Sequence, residues 1–241
     1  LIGPIPGATT ALKQQDTLIG GSLSAWGATE AMRAIYHSVP TANTPYADLE
    51  RIGLEAVNAA TRRGTVIHDH VATLLRGETP VPTTETVPYV YSWASFIAAE
   101  RPEFLAVEQK VIHPDGLFAG TLDFVAKIRG RTALGDVKSG KFKRSMALQL
   151  AAYSMCRMAD ERLTLDQWHR YFWNGTREDI GGLPPLPRIQ DYYILLLTPT
   201  GYELVPITVT QADRTHYLRL VKNYHAMRAW DDAHKALEVA A

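Results

Sequence analysis

Apolar residues along the chain change period four times, and those changes divide it into elements. In 22–36, Leu23, Trp26, Ala31, Ala34 and Ile35 recur at near-helical spacing behind Ser22 or Ser24 as caps. A turn follows at 40–45, between two prolines, then a second helical stretch at 47–60. Gly64 is expected to separate Arg62 and Arg63 from an amphipathic helix at 65–75, with Val66, Val71, Leu74 and Leu75 on its apolar side. Proline and threonine mark 77–88 as a loop, and 89–100 reads as a helix ending at Arg101-Pro102.

Beyond Pro102 the period shortens. Strands are expected at 104–112, 117–128 and 132–138, joined by His113-Pro114-Asp115-Gly116 and Arg129-Gly130-Arg131. Turns this short make the three an antiparallel meander. A strong helix is expected at 145–159, a Pro/Gly-rich connection at 181–187, a strand pair at 192–197 and 202–207, and a last helix at 211–237. That order predicts an α/β (α+β) fold, a mixed central sheet flanked by helices. It is read as one domain, 1–241: a helical part to 60, a core from 61 to 160, and a strand pair with a helix from 161.

The 241 residues, 46% apolar and 21% charged, have the composition of a globular domain with a sizeable core. Lys plus Arg and Asp plus Glu both number 25, so the net charge is zero. General coating of DNA is thereby disfavoured, and any nucleic-acid contact must come from a local basic cluster. One cysteine, Cys156, excludes an internal disulfide and a cysteine-held zinc or iron–sulfur site within the chain; it is expected to be buried filler. No apolar run reaches membrane-spanning length and no signal-peptide pattern opens the chain, so no membrane partner and a cytoplasmic location are expected. The chain starts on Leu rather than Met, and residues are expected to precede it.

Candidate chemistry lies on the second and third strands, in Gly120-Thr121-Leu122-Asp123 and Asp136-Val137-Lys138. Antiparallel neighbours can bring Asp123 and Asp136 to one sheet face. Alternation puts Lys138 on that face too and points Val137 into the core. Two acids and an ammonium at one strand end are costly to fold around unless a hard cation such as Mg²⁺ or Mn²⁺ joins the acids, with the Val137 carbonyl completing the shell. Such an ion would polarise a phosphate and activate a water, with Lys138 positioning or deprotonating that water. An Asp-X-Lys triplet by itself is more often a solvated ion pair.

The company of the triplet matters more. Gly64-Thr65-Val66-Ile67-His68, Glu108, Gly120-Thr121-Leu122-Asp123, Asp136-Val137-Lys138 and Gln149-Leu150-Ala151-Ala152-Tyr153 occur in that order. This run resembles the RecB-like branch of the PD-(D/E)XK nuclease superfamily, and more closely the phage exonucleases related to the CRISPR-associated ones. The resemblance implies a restriction-endonuclease-like core and DNA as substrate. It implies His68 as a further metal ligand, Asp123 and Asp136 as the acids, and Lys138 as the catalytic lysine. Gln149 and Tyr153 would orient that lysine and contact the DNA strand; Glu108 matches an acid that either binds metal or supports the site. The relatives' iron–sulfur cluster requires four cysteines, so none is expected here.

Lys138, Lys141, Lys143 and Arg144 put positive charge just after the triplet, where a phosphate backbone would lie, and Arg62 and Arg63 would extend the track. Tyr89, Tyr91, Trp93 and Phe96 offer rings for stacking on bases, core packing being the stronger reading for Trp93 and Phe96. The function expected is a metal-dependent exonuclease acting at DNA ends or single strands. The alternatives are a structure-selective endonuclease and a catalytically silent DNA-binding or assembly protein. Digestion polarity, DNA against RNA, the number of metals and the oligomeric state have no signature in the sequence.

Overall fold

The computed structural model describes residues 7, 31–38, 40–41, 44–140, 142–159 and 182–239. Its elements are α1 (Tyr46–Leu75), α2 (Val87–Glu100), β1 (Glu103–Ile112), β2 (Ala119–Ile128), β3 (Arg131–Lys138), α3 (Arg144–Tyr153), β4 (Arg157–Met158), β5 (Asp191–Thr198), β6 (Gly201–Pro206) and α4 (Gln211–Val239). The strands form one six-stranded sheet in the order β4-β1-β2-β3-β5-β6. All neighbours are antiparallel except β3 and β5, which are parallel. A mixed sheet flanked by helices is the architecture expected, and it is consistent with a restriction-endonuclease-like core.

The β2–β3 hairpin turns on Arg129 (φ 52°) and Gly130 (φ 75°), two left-handed residues between Ile128 and its partner Arg131. That is the primed turn whose twist matches the strands it joins. Alternation along the strands then supplies two apolar layers. Phe124, Ala126, Ala133, Val137, Leu195 and Leu197 bury one face of the sheet with Ile67 and Val71 of α1 and Trp93 and Phe96 of α2. Val125, Leu134, Ile194 and Leu196 bury the other with Leu150 and Tyr153 of α3 and Tyr217 and Val221 of α4. Ser92 Oγ donates to the Thr198 carbonyl at 2.6 Å and fixes α2 on the end of β5.

Several expected boundaries moved. Gly64 does not divide two helices; α1 runs unbroken for 30 residues. A glycine costs a helix interior about 1 kcal/mol, which the burial of Ile67 and Val71 outweighs. The loop expected to reach residue 88 ends earlier, because Pro88 sits in the first turn of α2, where a missing N–H costs nothing. The helix expected to reach 159 stops at Tyr153, and Arg157–Met158 instead pairs with the edge of β1. The third meander strand is an inner strand of the sheet. β5 returns alongside it in parallel, which puts Asp136 and Lys138 at the centre of the sheet. Of the helix expected at 22–36, only 31–36 fall among the described residues, and they are helical; the whole 161–181 stretch lies outside them.

Candidate metal and phosphate site

The β2–β3 ladder stops at the rung Phe124–Gly135, while β2 stays paired to β1 as far as Ala119. A fork opens there between β2 and β3. Continued by one residue, the register sets Asp123 opposite Asp136. Continued across β2, the β1 register sets Glu108 opposite Asp123. Three carboxyl groups therefore stand in a row on three adjacent strands.

Asp123 reaches into the fork: its Oδ2 accepts the Val137 N–H at 2.5 Å. Asp136 is fully buried, and Lys138 Nζ lies 2.5 Å from its Oδ2 as an ion pair. Neither Asp136 oxygen accepts a hydrogen bond of good geometry among the described residues. A buried carboxylate left so short of donors is costly. Burial foremost, then the charge of Asp123, raises the Asp136 pKa to about 6 against the opposing ammonium of Lys138. Asp123 is raised too, again by burial, with Lys138 and the Val137 N–H opposing. For Lys138 burial works downward, but the charges of Asp136 and Asp123 and the contact with Asp136 outweigh it and keep the ammonium charged.

Helix α1 crosses the strands at this fork, advancing about 6 Å per four residues against strands about 4.8 Å apart. A Cβ on Gly64 would meet Ser139 Oγ, just beyond β3, at 3.5 Å. One turn on, His68 Nδ1 lies 3.9 Å from Asp123 Oδ2. Burial, then the nearby Lys138 ammonium, lowers the His68 pKa, so its ring is the neutral form that can bind a metal. Further along, Asp69 and Arg76 act on Glu108, whose pKa rises to about 7 through burial and the charge of Asp123, with Arg76 opposing. Glu108 has φ 45°, a left-handed conformation that costs a non-glycine residue of order 1–2 kcal/mol. Neither Asp69 nor Arg76 was among the sequence candidates. Their signal was the helical spacing along α1: 68, 72 and 76 follow at four-residue steps, and 69, 72 and 76 at steps of three and four.

On the other face, Gln149 Nε2 donates to Tyr153 Oη at 3.2 Å, and both side chains are buried. Burial drives the Tyr153 hydroxyl well above its usual range, the Gln149 bond opposing and the charges of Asp136 and Asp123 adding, so it stays protonated.

His68, Glu108, Asp123, Asp136, Lys138, Gln149 and Tyr153 thus gather around one fork, with the Val137 backbone bonded into it. The basic track is less coherent. Arg63 is engaged by Glu85 at 2.8 Å, Arg62 and Arg144 are exposed, Lys143 precedes the first turn of α3, and Lys141 lies outside the described residues. Of the four rings offered for stacking, Tyr89, Trp93 and Phe96 are buried in the α1/α2 layer, and Tyr91 alone of the four is largely exposed. Cys156 is buried and unpaired.

The donor chemistry fits a hard divalent cation: two carboxylates sharing a fork, a buried Asp136 with only the Lys138 ammonium at its Oδ2 and no well-formed hydrogen bond among the described residues, and a neutral imidazole beside them. The ligand set is not assembled in advance. Among the described residues no three His, Cys, Asp or Glu side chains stand as a metal-binding cluster. The Lys138 ammonium and the Val137 N–H hold the acids instead.

No family model matches the chain, and no curated protein does. Among solved structures it is similar to an alkaline exonuclease (LHK-Exo) from Laribacter hongkongensis, with 11% identity over 72% of this chain and 83% of that one at a TM-score of 0.36. The structure of LHK-Exo in complex with dAMP matches over the same shares with 13% identity and a TM-score of 0.34. No helix among the described residues is long and apolar enough to cross a membrane.

Proposed function

We propose that the chain is a divalent-metal-dependent nuclease of the PD-(D/E)XK type, in its RecB-like branch, hydrolysing phosphodiester bonds at DNA ends or in single strands. One observation carries the reading: the buried Asp136, short of donors, shares a fork with Asp123 and is paired to Lys138. Asp123 and Asp136 would hold Mg²⁺ or Mn²⁺, with His68 and the Val137 carbonyl as further ligands. When bound, the ion supplies polarisation of the phosphate and a water of lowered pKa.

The remaining roles belong to the chain itself. Lys138 keeps its charge and offsets the negative charge that develops on the phosphate. Tyr153, protonated and bonded to Gln149, donates a hydrogen bond beside it. Glu108 supports the site from β1. Lys141, Lys143, Arg144, Arg62 and Arg63 would steer the backbone of the strand. Asp136 and Asp123 are recessed, and a recessed site favours a strand end over the side of a duplex.

The test incubates end-labelled single- and double-stranded DNA, and closed circles of each, with Mg²⁺, Mn²⁺ or EDTA. Asp136→Ala and Lys138→Ala should each lower cleavage by at least about a hundredfold. Cleavage that survives both substitutions and EDTA would overturn the reading. Digestion of closed circles would turn the exonuclease into an endonuclease with the same site, and DNA binding without cleavage would favour a silent assembly protein.

A further inference from the structure

The rung beside the acids is built around a space no side chain could share. A Cβ on Gly135 would lie 1.9 Å from Phe124 Cζ and 2.2 Å from Cε2. The Phe124 ring therefore lies directly on the Gly135 backbone, and glycine is required for room rather than for its dihedral freedom. The ring has nowhere to step. It is fully buried, edge-on to Phe104 with centroids 5.7 Å apart and tilted against Phe96 at 6.3 Å. Any side chain at 135 must push β3 away from β2 or force the ring into a filled core.

Both responses act on the site. Phe124 and Gly135 form the last rung of the ladder, and the next residue along each strand is Asp123 or Asp136. The Val137 N–H bond to Asp123 spans the same gap and depends on the same strand separation. We propose that the Phe124–Gly135 rung is a positioning device that fixes the separation of Asp123 and Asp136, and with it the site's affinity for a divalent cation and its turnover. This rests on the nuclease reading above. Phe124 and Gly135 touch neither substrate nor metal; they act through the two acids.

An aromatic ring over glycine also stabilises a sheet, and a purely structural role would cost stability alone. The experiment separates the two with a double-mutant cycle of Gly135→Ala and Phe124→Leu, since leucine lacks the ring atoms that a Cβ at 135 would strike. Mn²⁺ binding is measured by calorimetry, kcat and KM on end-labelled single-stranded DNA, and stability by urea denaturation. Gly135→Ala should weaken Mn²⁺ binding by roughly tenfold or more, the range for residues that orient metal ligands, and lower kcat with little change in KM for DNA. Phe124→Leu/Gly135→Ala should bind Mn²⁺ within about threefold of Phe124→Leu alone.

Mn²⁺ affinity and kcat within about twofold of wild type in folded Gly135→Ala would overturn the proposal. If Gly135→Ala does not fold, the double variant decides: affinity close to Phe124→Leu supports it, and a tenfold loss overturns it. A wild-type protein that neither binds Mn²⁺ nor cuts DNA would instead bring down the nuclease reading itself.

Discussion

Lys138 and Asp136 depend on each other in the absence of a cation. Asp136 is fully buried, its oxygens have no well-formed hydrogen bond among the described residues, and the ammonium is what offsets its charge. Removing one partner of a buried ion pair leaves the other uncompensated, at a cost of about 3 kcal/mol. Lys138→Ala should therefore destabilise the protein by roughly that amount in EDTA, and by clearly less in saturating Mn²⁺. Urea denaturation under both conditions checks this; equal losses would mean that no cation replaces the lysine's charge at Asp136. The residue types at this scale were legible in the sequence. Asp136, Val137 and Lys138 stand as alternation predicts, and Gln149 and Tyr153 share a helix face. The spacing along α1 that brings Asp69 and Arg76 to Glu108 was legible too, but had no meaning until a strand lay beneath it.

At the scale of elements, α4 shows a terminus fixed by local chemistry. Thr210 Oγ1 accepts the Asp213 N–H at 3.2 Å, and Asp213 Oδ2 accepts the Thr210 N–H at 2.7 Å, a reciprocal cap. Thr210→Ala should cost about 1 kcal/mol, measured by urea denaturation. The hydrogen bonds from the Thr210 hydroxyl and backbone hold the Asp213 carboxyl below its ordinary 3.8. A depressed carboxyl contributes stability above its unfolded pKa and loses it as pH falls through the folded value. The wild-type advantage over Thr210→Ala should thus be full at neutral pH and shrink below about pH 4, by a small amount because Asp213 faces solvent. An advantage constant with pH would remove Asp213 from the cap. Elements were read well where period and punctuation agreed, as in the meander and its Arg129-Gly130 turn. They were misread where a local signal met a tertiary one. Gly64 marks a break by propensity, yet α1 continues because the residues beyond it, Ile67 and Val71, bury against the sheet. Residues 157–158 continue an apolar helical pattern but are drawn to the open edge of β1.

Across the whole molecule, the sheet brings Glu108, Asp123 and Asp136 from three strands into one row where the β2–β3 ladder opens, with α1 crossing above them. If a cation joins them, folding and binding are linked. Free Mn²⁺ at a hundred times its dissociation constant should stabilise the protein by about 2.7 kcal/mol and raise Tm accordingly. The rise should vanish in Asp123→Asn and with EDTA, as followed by thermal unfolding; a rise retained in Asp123→Asn would place the ion elsewhere.

The sequence by itself determined the local terms: the period of each strand and helix, the turn residues, the absence of a cysteine cluster, and the order of the acids and the lysine. Those follow from neighbours along the chain. Only the tertiary structure decided that β5 lies parallel against β3, that the β2–β3 ladder ends at Phe124 and Gly135, and that Asp123 turns into the gap to take the Val137 N–H. Each depends on groups far apart in sequence competing for one space and one set of hydrogen bonds. No periodicity records the outcome of that competition.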